Sequence, residues 1–468
     1  MNTKKTKIVA TIGPVSANEK TLTEMVRAGL DVIRINFSHG DFKEHEPKVV
    51  LARQISEKLG KPIAVMQDLS GPKFRIGDFY QERVQLKAGE LITLTPEKIV
   101  GDEKRVSINY PTLSEELKVG NIIMIDDGKK KFEVVEIKNK EIVCKIIVGG
   151  ETKGRRSVNL PGAYLKISSL TDKDKKDLEF GFKHKVDLIA FSFVRRAEDV
   201  QELRDILKKN KSNAMIIAKI ETQEAVENFD AILELSDGIM VARGDLAVEI
   251  PAEEVPIVQK MIIKKCHKAG KPVITATQML ESMIKSPVPT RAEVSDVANA
   301  IFDGTDAIML SEETTLGDFP VEAVRMMTRI AVRVEGELTS NGNDIEAAHG
   351  VADAVSQAVV HTANYLEAQF ILALTQSGFT ARMISRYRPT QTIVAFSPNA
   401  KDLNKMVLSY GVHPVLIDKA DNLNEVLKLV RAYALKHKFA QKGDRVVIAG
   451  GMPFGKAIDT NMMTVEVI

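Results

Sequence analysis

The stretch Met215–Ile250, MIIAKIETQEAVENFDAILELSDGIMVARGDLAVEI, holds two short apolar runs, Met215–Ile220 and Gly238–Val241, each ending in charge. The first delivers Lys219 and Glu221, the second Arg243 and Asp245. Between them, Val226, Phe229, Ile232 and Leu233 recur at helical spacing across Gln223–Leu235. The local pattern is strand, helix, strand, with polar residues gathered where each strand stops. Residues two apart on a strand share a face, so Lys219 and Glu221 point the same way. One cation with two carboxylates suits a divalent metal that holds an anionic substrate. A salt-bridged strand end would account for any one of these residues alone; repetition of the pattern at other strands counts against it.

Working outward, the same unit recurs. Lys7–Ile12 is a strand stopped by Gly13-Pro14, and Glu19–Ala28 is a helix closed by Gly29. Val32–Asn36 delivers Arg34, Asn36 and Ser38, a helix follows through Val49–Leu59, and Pro62–Gln67 ends at Asp68. After a helix at Asp172–Phe182, strand Asp187–Phe191 runs into Ser192-Phe193. Val273–Thr275 delivers Thr277-Gln278, and Ala307–Leu310 delivers Ser311-Glu312-Glu313-Thr314. Strands at Ile8, Val32, Ile63, Leu188, Ile216, Ile239, Val273 and Ala307 make eight parallel βα units, the count of a closed (β/α)8 (TIM) barrel. In that architecture the active site lies at the carboxyl ends of the strands, where the polar residues fall.

Two segments depart from this rhythm. From Ser70-Gly71-Pro72 to Gly162 helical periodicity vanishes, and short alternating runs separated by turns such as Asp126-Asp127-Gly128 predict an inserted all-β domain, a small β-barrel. Beyond a Ser-Asn-Gly-Asn linker at 340–343, a helix at Val351–Leu366 opens a further α/β domain. Its strands are expected at Phe370–Leu374, Ile393–Phe396, Val415–Ile417, Arg445–Ala449 and Thr464–Ile468, with a helix at Ala381–Tyr387. The expected division is 1–69 with 163–337 for the barrel, 70–162 for the β insert and 338–468 for the C-terminal domain.

Bulk properties exclude several classes. The 468 residues exceed what one core accommodates, and 44% apolar with 27% charged residues is ordinary for a globular chain. A net charge of +2 gives no electrostatic footprint for nucleic acid or a membrane surface. Cys144 and Cys266 have no paired spacing, the eight histidines no ligand spacing, and no apolar run approaches membrane-spanning length. A cytoplasmic enzyme or binding protein is the expectation.

Nine motifs run along the chain: KIVATIGP (7–14), IRINFSHG (33–40), DLSGPKFR (68–75), VNLPG (158–162), FSFVR (191–195), AKIETQE (218–224), SDGIMVARGDLAVEIP (236–251), ITATQMLESMIKSPVPTRAEVSDVANAIFDGTDAIMLSEET (274–314) and TQSGFTA (375–381). In these the chain resembles pyruvate kinases over essentially its whole length. Singly each is weak; together and in order they are specific. The resemblance implies a barrel, a mobile β lid and a C-terminal regulatory domain. It also implies transfer of the phosphoryl group of phosphoenolpyruvate to ADP, giving pyruvate and ATP, the last substrate-level phosphorylation of glycolysis.

The same resemblance implies roles for individual residues. Glu221 and Asp245 are the expected ligands of Mg²⁺ or Mn²⁺, hard oxygens that leave other positions to water and substrate. Lys219 and Arg34 are expected on the transferred phosphoryl group, Lys219 also on the enolate. Backbone N–H groups around Gly244 and Asp245 would take the substrate carboxylate, and Thr277 would orient the methylene carbon and relay a proton. Ser311 and Glu313 are weaker members of that relay. Arg75 and Arg156 are expected on nucleotide phosphates. For Arg243 a structural role weighs as much as orienting the Gly-Asp turn, and for Asp126 or Asp127 a turn role weighs more than metal contact.

Asn36, Ser38, Asp68 and the Leu69 carbonyl match the family's monovalent-cation site. Many members have glutamate where this chain has Lys73, and an ammonium carries the same charge as K⁺, so K⁺ is expected to be dispensable. Glu312, where small residues are frequent, has no account. The hydroxyl-rich loop Thr375, Ser377, Gly378, Thr380 matches a site for a phosphorylated allosteric effector; a plain capping turn is the competing reading. A homotetramer is implied by the resemblance alone. A metal-dependent lyase acting on an oxo-acid enolate leaves the lid and the Thr277 motif unexplained, and an inactive binding protein leaves the full set of polar strand ends unexplained.

Overall fold

The computed structural model describes residues 4–338, 350–418, 422–437, 439–453 and 458–468; the expected linker at 340–343 lies outside them. Eight parallel strands close into a barrel in the order β1 (Lys7–Thr11), β2 (Val32–Asn36), β3 (Ala64–Asp68), β12 (Leu188–Phe191), β13 (Met215–Ile220), β14 (Gly238–Ala242), β15 (Val273–Ala276) and β16 (Ala307–Leu310), the last pairing back onto β1. The helices of the barrel are α1 (Glu19–Ala28), α2 (Phe42–Leu59), α3 (Asp172–His184), α4 (Ala197–Lys209), α5 (Gln223–Glu227), α6 (Phe229–Leu235), α7 (Arg243–Glu249), α8 (Val255–Ala269), α9 (Arg291–Phe302), α10 (Glu312–Thr315) and α11 (Pro320–Glu335). Helix α2 starts seven residues earlier than the apolar period indicates, because Asp41 caps the Glu44 N–H; Pro47 lies inside it and forgoes one backbone hydrogen bond. The helix expected over Gln223–Leu235 breaks at Asn228, whose side chain donates to the Arg195 carbonyl.

Strand alternation divides the barrel's apolar residues into two cores. Ile8, Ala10, Ile33, Ile35, Val65, Ile189, Ile216 and Ile239 pack outward against the helices. Val9, Val32, Ala64, Met66, Leu188, Ala190, Met215, Ile217, Met240 and Ile274 fill the interior. Val407 and Leu408 from the C-terminal domain join the interior set, so that domain stoppers one end of the barrel.

Between β3 and α3 the chain builds eight strands: β4 (Val84–Leu86), β5 (Leu91–Thr95), β6 (Arg105–Ser107), β7 (Ile122–Ile125), β8 (Lys130–Lys138), β9 (Glu141–Val148), β10 (Gly150–Thr152) and β11 (Val158–Asn159). They form a six-stranded sheet and a β4–β10 pair around one core of Ile76, Leu94, Val106, Ile123, Phe132, Ile142 and neighbours. The C-terminal domain is a five-stranded sheet, β19 (Val412–Leu416), β18 (Thr392–Ser397), β17 (Phe370–Leu374), β20 (Arg445–Gly450) and β21 (Met462–Val467), with β21 antiparallel at the edge. Among the described residues no helix is long and apolar enough to cross a membrane.

The stoppered end carries a fourfold repeat. Asp31, Asp187, Asp237 and Asp306 each precede an even-numbered barrel strand in the order above. Each donates its N–H to the carbonyl of the preceding strand's residue (Ile8, Val65, Ile216, Val273). Each carboxylate accepts that residue's N–H, at 2.9, 2.8, 2.9 and 3.0 Å. Each carboxylate also meets a cation: Lys4 for Asp31, Arg53 for Asp187, Arg204 for Asp237 and Arg388 for Asp306. Asp306 additionally accepts the Tyr410 N–H at 3.0 Å, joining barrel to C-terminal domain. Replacing it leaves Arg388 with a missing partner in a largely buried place. Asp306→Asn is therefore expected to destabilise the chain by about 3 kcal/mol or more, read as a lowered urea midpoint. Glu19→Gln, which breaks the exposed Lys58 pair, should leave that midpoint unmoved.

Candidate active site

At the opposite end the interior parity continues into polar residues. Thr11 follows Val9, Arg34 and Asn36 follow Val32, and Asp68 follows Met66 at two-residue steps. Ser192 follows Ala190, and Lys219 and Glu221 follow Ile217 in the same way. These side chains converge. Arg34 Nε lies 2.6 Å from Asp68 Oδ2, and its Nη1 donates to Thr11 Oγ1 at 2.7 Å. Lys219 Nζ lies 2.9 Å from Glu221 Oε1 and 3.3 Å from Asp68 Oδ1, and donates to Ser192 Oγ at 2.7 Å. The Ser192 hydroxyl donates in turn to the Leu69 carbonyl at 2.7 Å.

Burial alone would lower the Lys219 pKa, but the Asp68 and Glu221 carboxylates outweigh it and hold the ammonium above its ordinary range. For Asp68 burial works upward and is overcome by Arg34 and Lys219, leaving the carboxyl below its usual value. Glu221 goes the other way: burial, helped by the nearby Asp245 charge, pushes it up despite Lys219 and the Phe193 N–H, which donates to its Oε2 at 2.6 Å. A buried carboxylate whose ionisation is opposed by burial and by a second carboxylate beside it fits a dication. Among the described residues no group of three or more His, Cys, Asp or Glu side chains is placed to cage a metal. Glu221 and Asp245 thus fit a Mg²⁺ that takes its remaining ligands from substrate and water.

Thr277 breaks the alternation. Ile274 and Ala276 face the interior, so an extended Thr277 would face the helices. Instead Thr277 and Gln278 adopt left-handed backbone, φ 71° and 52°. For a β-branched residue that costs roughly 1–3 kcal/mol. The turn brings Thr277 Oγ1 to the Gly244 N–H at 2.8 Å, and the hydroxyl donates to the Ala276 carbonyl at 2.6 Å. Arg243 is structural here: it donates to the Ala276 and Thr277 carbonyls and pairs through both Nη atoms with Asp296. Glu313 accepts the Ser311 and Leu280 N–H groups.

The remaining candidates are spread more widely. Lys73 is half-buried and its ammonium lies in the field of Asp245 and Asp68; burial and the like charges of Lys219 and Arg75 lower its pKa. Asn36 Oδ1 accepts the Ser38 N–H at 3.0 Å. Arg156 faces Asp126 at 3.5 Å, and Asp127 accepts from the Ser157 hydroxyl, so both aspartates serve the turn. Arg75 donates to the Arg155 carbonyl across the lid. A cleft of about 210 Å³ between lid and barrel is lined by Lys73, Arg75, Asn159, Phe193, Asp245 and Glu249. The loop Thr375–Thr380 belongs to the separate C-terminal sheet. There Thr375 Oγ1 accepts the Gly378 N–H, Thr380 meets Thr460, and Ser377 is exposed.

Neighbouring carboxylates, buried cations and a strained hydroxyl at the open end of a (β/α)8 barrel fit the class of barrel enzymes whose active site lies at the carboxyl ends of the strands. The comparisons with known proteins narrow the class. Residues 3–324 match the family model "Pyruvate kinase, barrel domain", and 353–466 match "Pyruvate kinase, alpha/beta domain". The chain is 44% identical to the pyruvate kinase of Clostridium acetobutylicum over 99% of both chains. It is 46% identical to that of Bacillus licheniformis, covering 99% of this chain and 80% of that one. A crystal structure of a pyruvate kinase from Cryptosporidium parvum superposes with a TM-score of 0.95 at 36% identity, over 99% of this chain and 96% of that one. The chain belongs to the pyruvate kinase family.

Thr11, Ser192 and Glu249 did not stand out in the sequence. The first two could have been found by continuing the inward parity past each strand's last apolar residue; Glu249 meets its lid contacts only after folding. Burial pushes the Glu249 carboxyl up to about 7 against the Leu160 N–H and the Asn159 side chain. The folded state therefore keeps a proton that the unfolded chain releases, so this group's contribution to stability falls as pH rises from about 4.5 towards 7. Glu249→Gln removes that slope. In metal-free buffer the wild type should lose on the order of 2 kcal/mol relative to the variant between pH 5 and 8, measured as diverging urea midpoints.

Proposed function

We infer that the chain transfers the phosphoryl group of phosphoenolpyruvate to ADP, giving pyruvate and ATP. The observation that carries this reading is the buried Lys219 ammonium, shared by Asp68, Glu221 and Ser192 beside Arg34, at the mouth of a barrel whose family performs that reaction. Arg34 and Lys219 bind the migrating phosphoryl, where fixed cations offset charge spreading over its oxygens. Lys219 also faces the enolate oxygen left behind. Asp68 pairs with both cations and aims them. The N–H groups at Gly244 and Asp245 take the substrate carboxylate, and Thr277 orients the methylene carbon and relays the proton that completes pyruvate. Arg75 and Arg156 reach the nucleotide phosphates from the lid. Glu221 and Asp245 hold Mg²⁺ or Mn²⁺, which when bound supplies Lewis-acid polarisation of phosphoryl oxygens.

The monovalent-cation site, Asn36, Ser38, Asp68 and the Leu69 carbonyl, is assigned to the Lys73 charge rather than to K⁺. In support, the Leu69 oxygen already accepts from Ser192 and Asp68 already pairs with Arg34 and Lys219, while Asp68 and Asp245 attract Lys73. The Thr375, Ser377, Gly378, Thr380 loop is assigned to an effector phosphate, which would displace the Thr375–Gly378 contact. Domains at 1–69 with 163–337, 70–162 and 338–468, a cytoplasmic location and a homotetramer complete the reading.

The test is pyruvate formation from phosphoenolpyruvate and ADP with Mg²⁺ in potassium-free buffer. Full turnover without KCl is expected, and Lys73→Glu should make added KCl necessary. Lys219→Met should lower kcat by about 10²–10³ or more. Wild-type turnover that appears only with K⁺ would remove the role given to Lys73 and leave the phosphotransferase in place.

A further inference from the structure

The segment from Ala276 to Ile284 is held by three side chains from three other elements. Arg243, the first residue of α7, donates Nε to the Ala276 carbonyl at 3.3 Å and Nη2 to the Thr277 carbonyl at 2.9 Å. Glu313 of α10 accepts the Leu280 N–H at 3.2 Å. Glu293 of α9 accepts the Ser282 N–H at 2.7 Å while completing the capping box with Thr290. Of these three side chains, Arg243 is the one bonded to Thr277, the first of the two left-handed residues Thr277 and Gln278. A left-handed threonine persists only when its surroundings over-determine it.

Arg243 is itself aimed by one residue. Asp296, at the centre of α9, places Oδ1 and Oδ2 each 2.7 Å from Nη1 and Nη2, the planar fork-to-fork geometry that fixes a guanidinium in position and plane. Gln259 at 3.5 Å and the Met279 sulfur at 2.7 Å complete its surroundings, and neither can set the plane as a bidentate carboxylate does. With Asp296 removed, the guanidinium loses its fixed plane, the Thr277 carbonyl loses its anchor, and the hydroxyl is free to leave the Gly244 N–H.

We propose that Asp296 is a positioning residue for the reaction: through Arg243 it maintains the left-handed Thr277 turn that places the Thr277 hydroxyl beside Gly244. Asp296 touches neither substrate nor metal. This rests on the phosphotransferase reading and deepens it, because the step Thr277 serves is protonation of the enolate carbon. A displaced hydroxyl slows proton delivery and leaves Arg34 and Lys219 on the phosphoryl group undisturbed.

The experiment compares Asp296→Ala, Asp296→Asn, Asp296→Glu and Arg243→Lys with wild type. It reads steady-state kinetics, the solvent deuterium isotope effect on kcat, and exchange of the pyruvate methyl protons in D₂O with Mg²⁺ and inorganic phosphate. Circular dichroism gives the folded fraction of each. Asp296→Ala and Arg243→Lys are expected to lower kcat about 10- to 100-fold, with KM for phosphoenolpyruvate changing far less. The isotope effect should rise as proton delivery becomes limiting, and methyl exchange should slow at least as much as kcat. Asp296→Asn, which keeps one acceptor, and Asp296→Glu, which keeps the charge, should fall between these and wild type. A loss of kcat that tracks the folded fraction with an unchanged isotope effect overturns the proposal, as does wild-type kcat in Asp296→Ala. A wild type that makes no pyruvate would remove the reaction and the role with it; an active wild type separates the two failures.

Discussion

One buried ammonium organises the open end of this barrel. Lys219 sits almost out of water, and its charge is tolerable only because Asp68 and Glu221 face it and Ser192 accepts one of its protons. Each partner is then committed elsewhere: Asp68 to Arg34, Glu221 to the Phe193 N–H, Ser192 to the Leu69 carbonyl. The ends of β2, β3, β12 and β13 are thus tied through a single cation. Removing any member leaves a buried charge without its counterpart, so the geometry of Arg34 and Glu221 depends on a residue on a different strand.

The two ends of the barrel solve the same problem in opposite ways. At the stoppered end Asp31, Asp187, Asp237 and Asp306 spend their carboxylates on strand N–H groups and on a paired cation. At the open end burial and the neighbouring Asp245 charge oppose ionisation of Glu221, and the Thr277 backbone is held in a strained region. The first arrangement favours the folded chain; the second carries a free-energy cost at the site.

The barrel was legible because its strands are apolar runs at regular spacing, and because period two carries straight on into the polar residues that follow them. Arg34, Asp68, Lys219 and Glu221 needed only that parity. What parity cannot show is a departure from it. Thr277 faces the site because its φ is positive, a property that threonine, unlike glycine, does not advertise. Asp296 likewise reads as one more polar residue on a helix, and its partner Arg243 lies 53 positions away. Helix ends depart from the apolar period where a cap or a break, Asp41 or Asn228, outweighs it. Helical periodicity stops at Ser70 and resumes after Gly162, and strands β4 to β11 fall between them, whereas the contact of Glu249 with Asn159 and Leu160 arises only when the insert folds back over the barrel.

The C-terminal domain is joined to the catalytic strands by more than a linker. Val407 and Leu408 complete the interior core directly beneath Met215, Met240 and Met309. The Tyr410 N–H and the Arg388 guanidinium share Asp306, the residue that starts β16. Beyond the other end of β16 lies Ser311, whose N–H is held by Glu313, and Glu313 also holds Leu280, three residues past Thr277. A short strand therefore separates a residue gripped by the C-terminal domain from Ser311, which shares Glu313 with Leu280. Protein interiors are close-packed, and displacement of such a strand is transmitted rather than absorbed. Val407 and Leu408 share the interior core with Ala307 and Met309 of β16, and Tyr410 bonds Asp306 at the start of that strand.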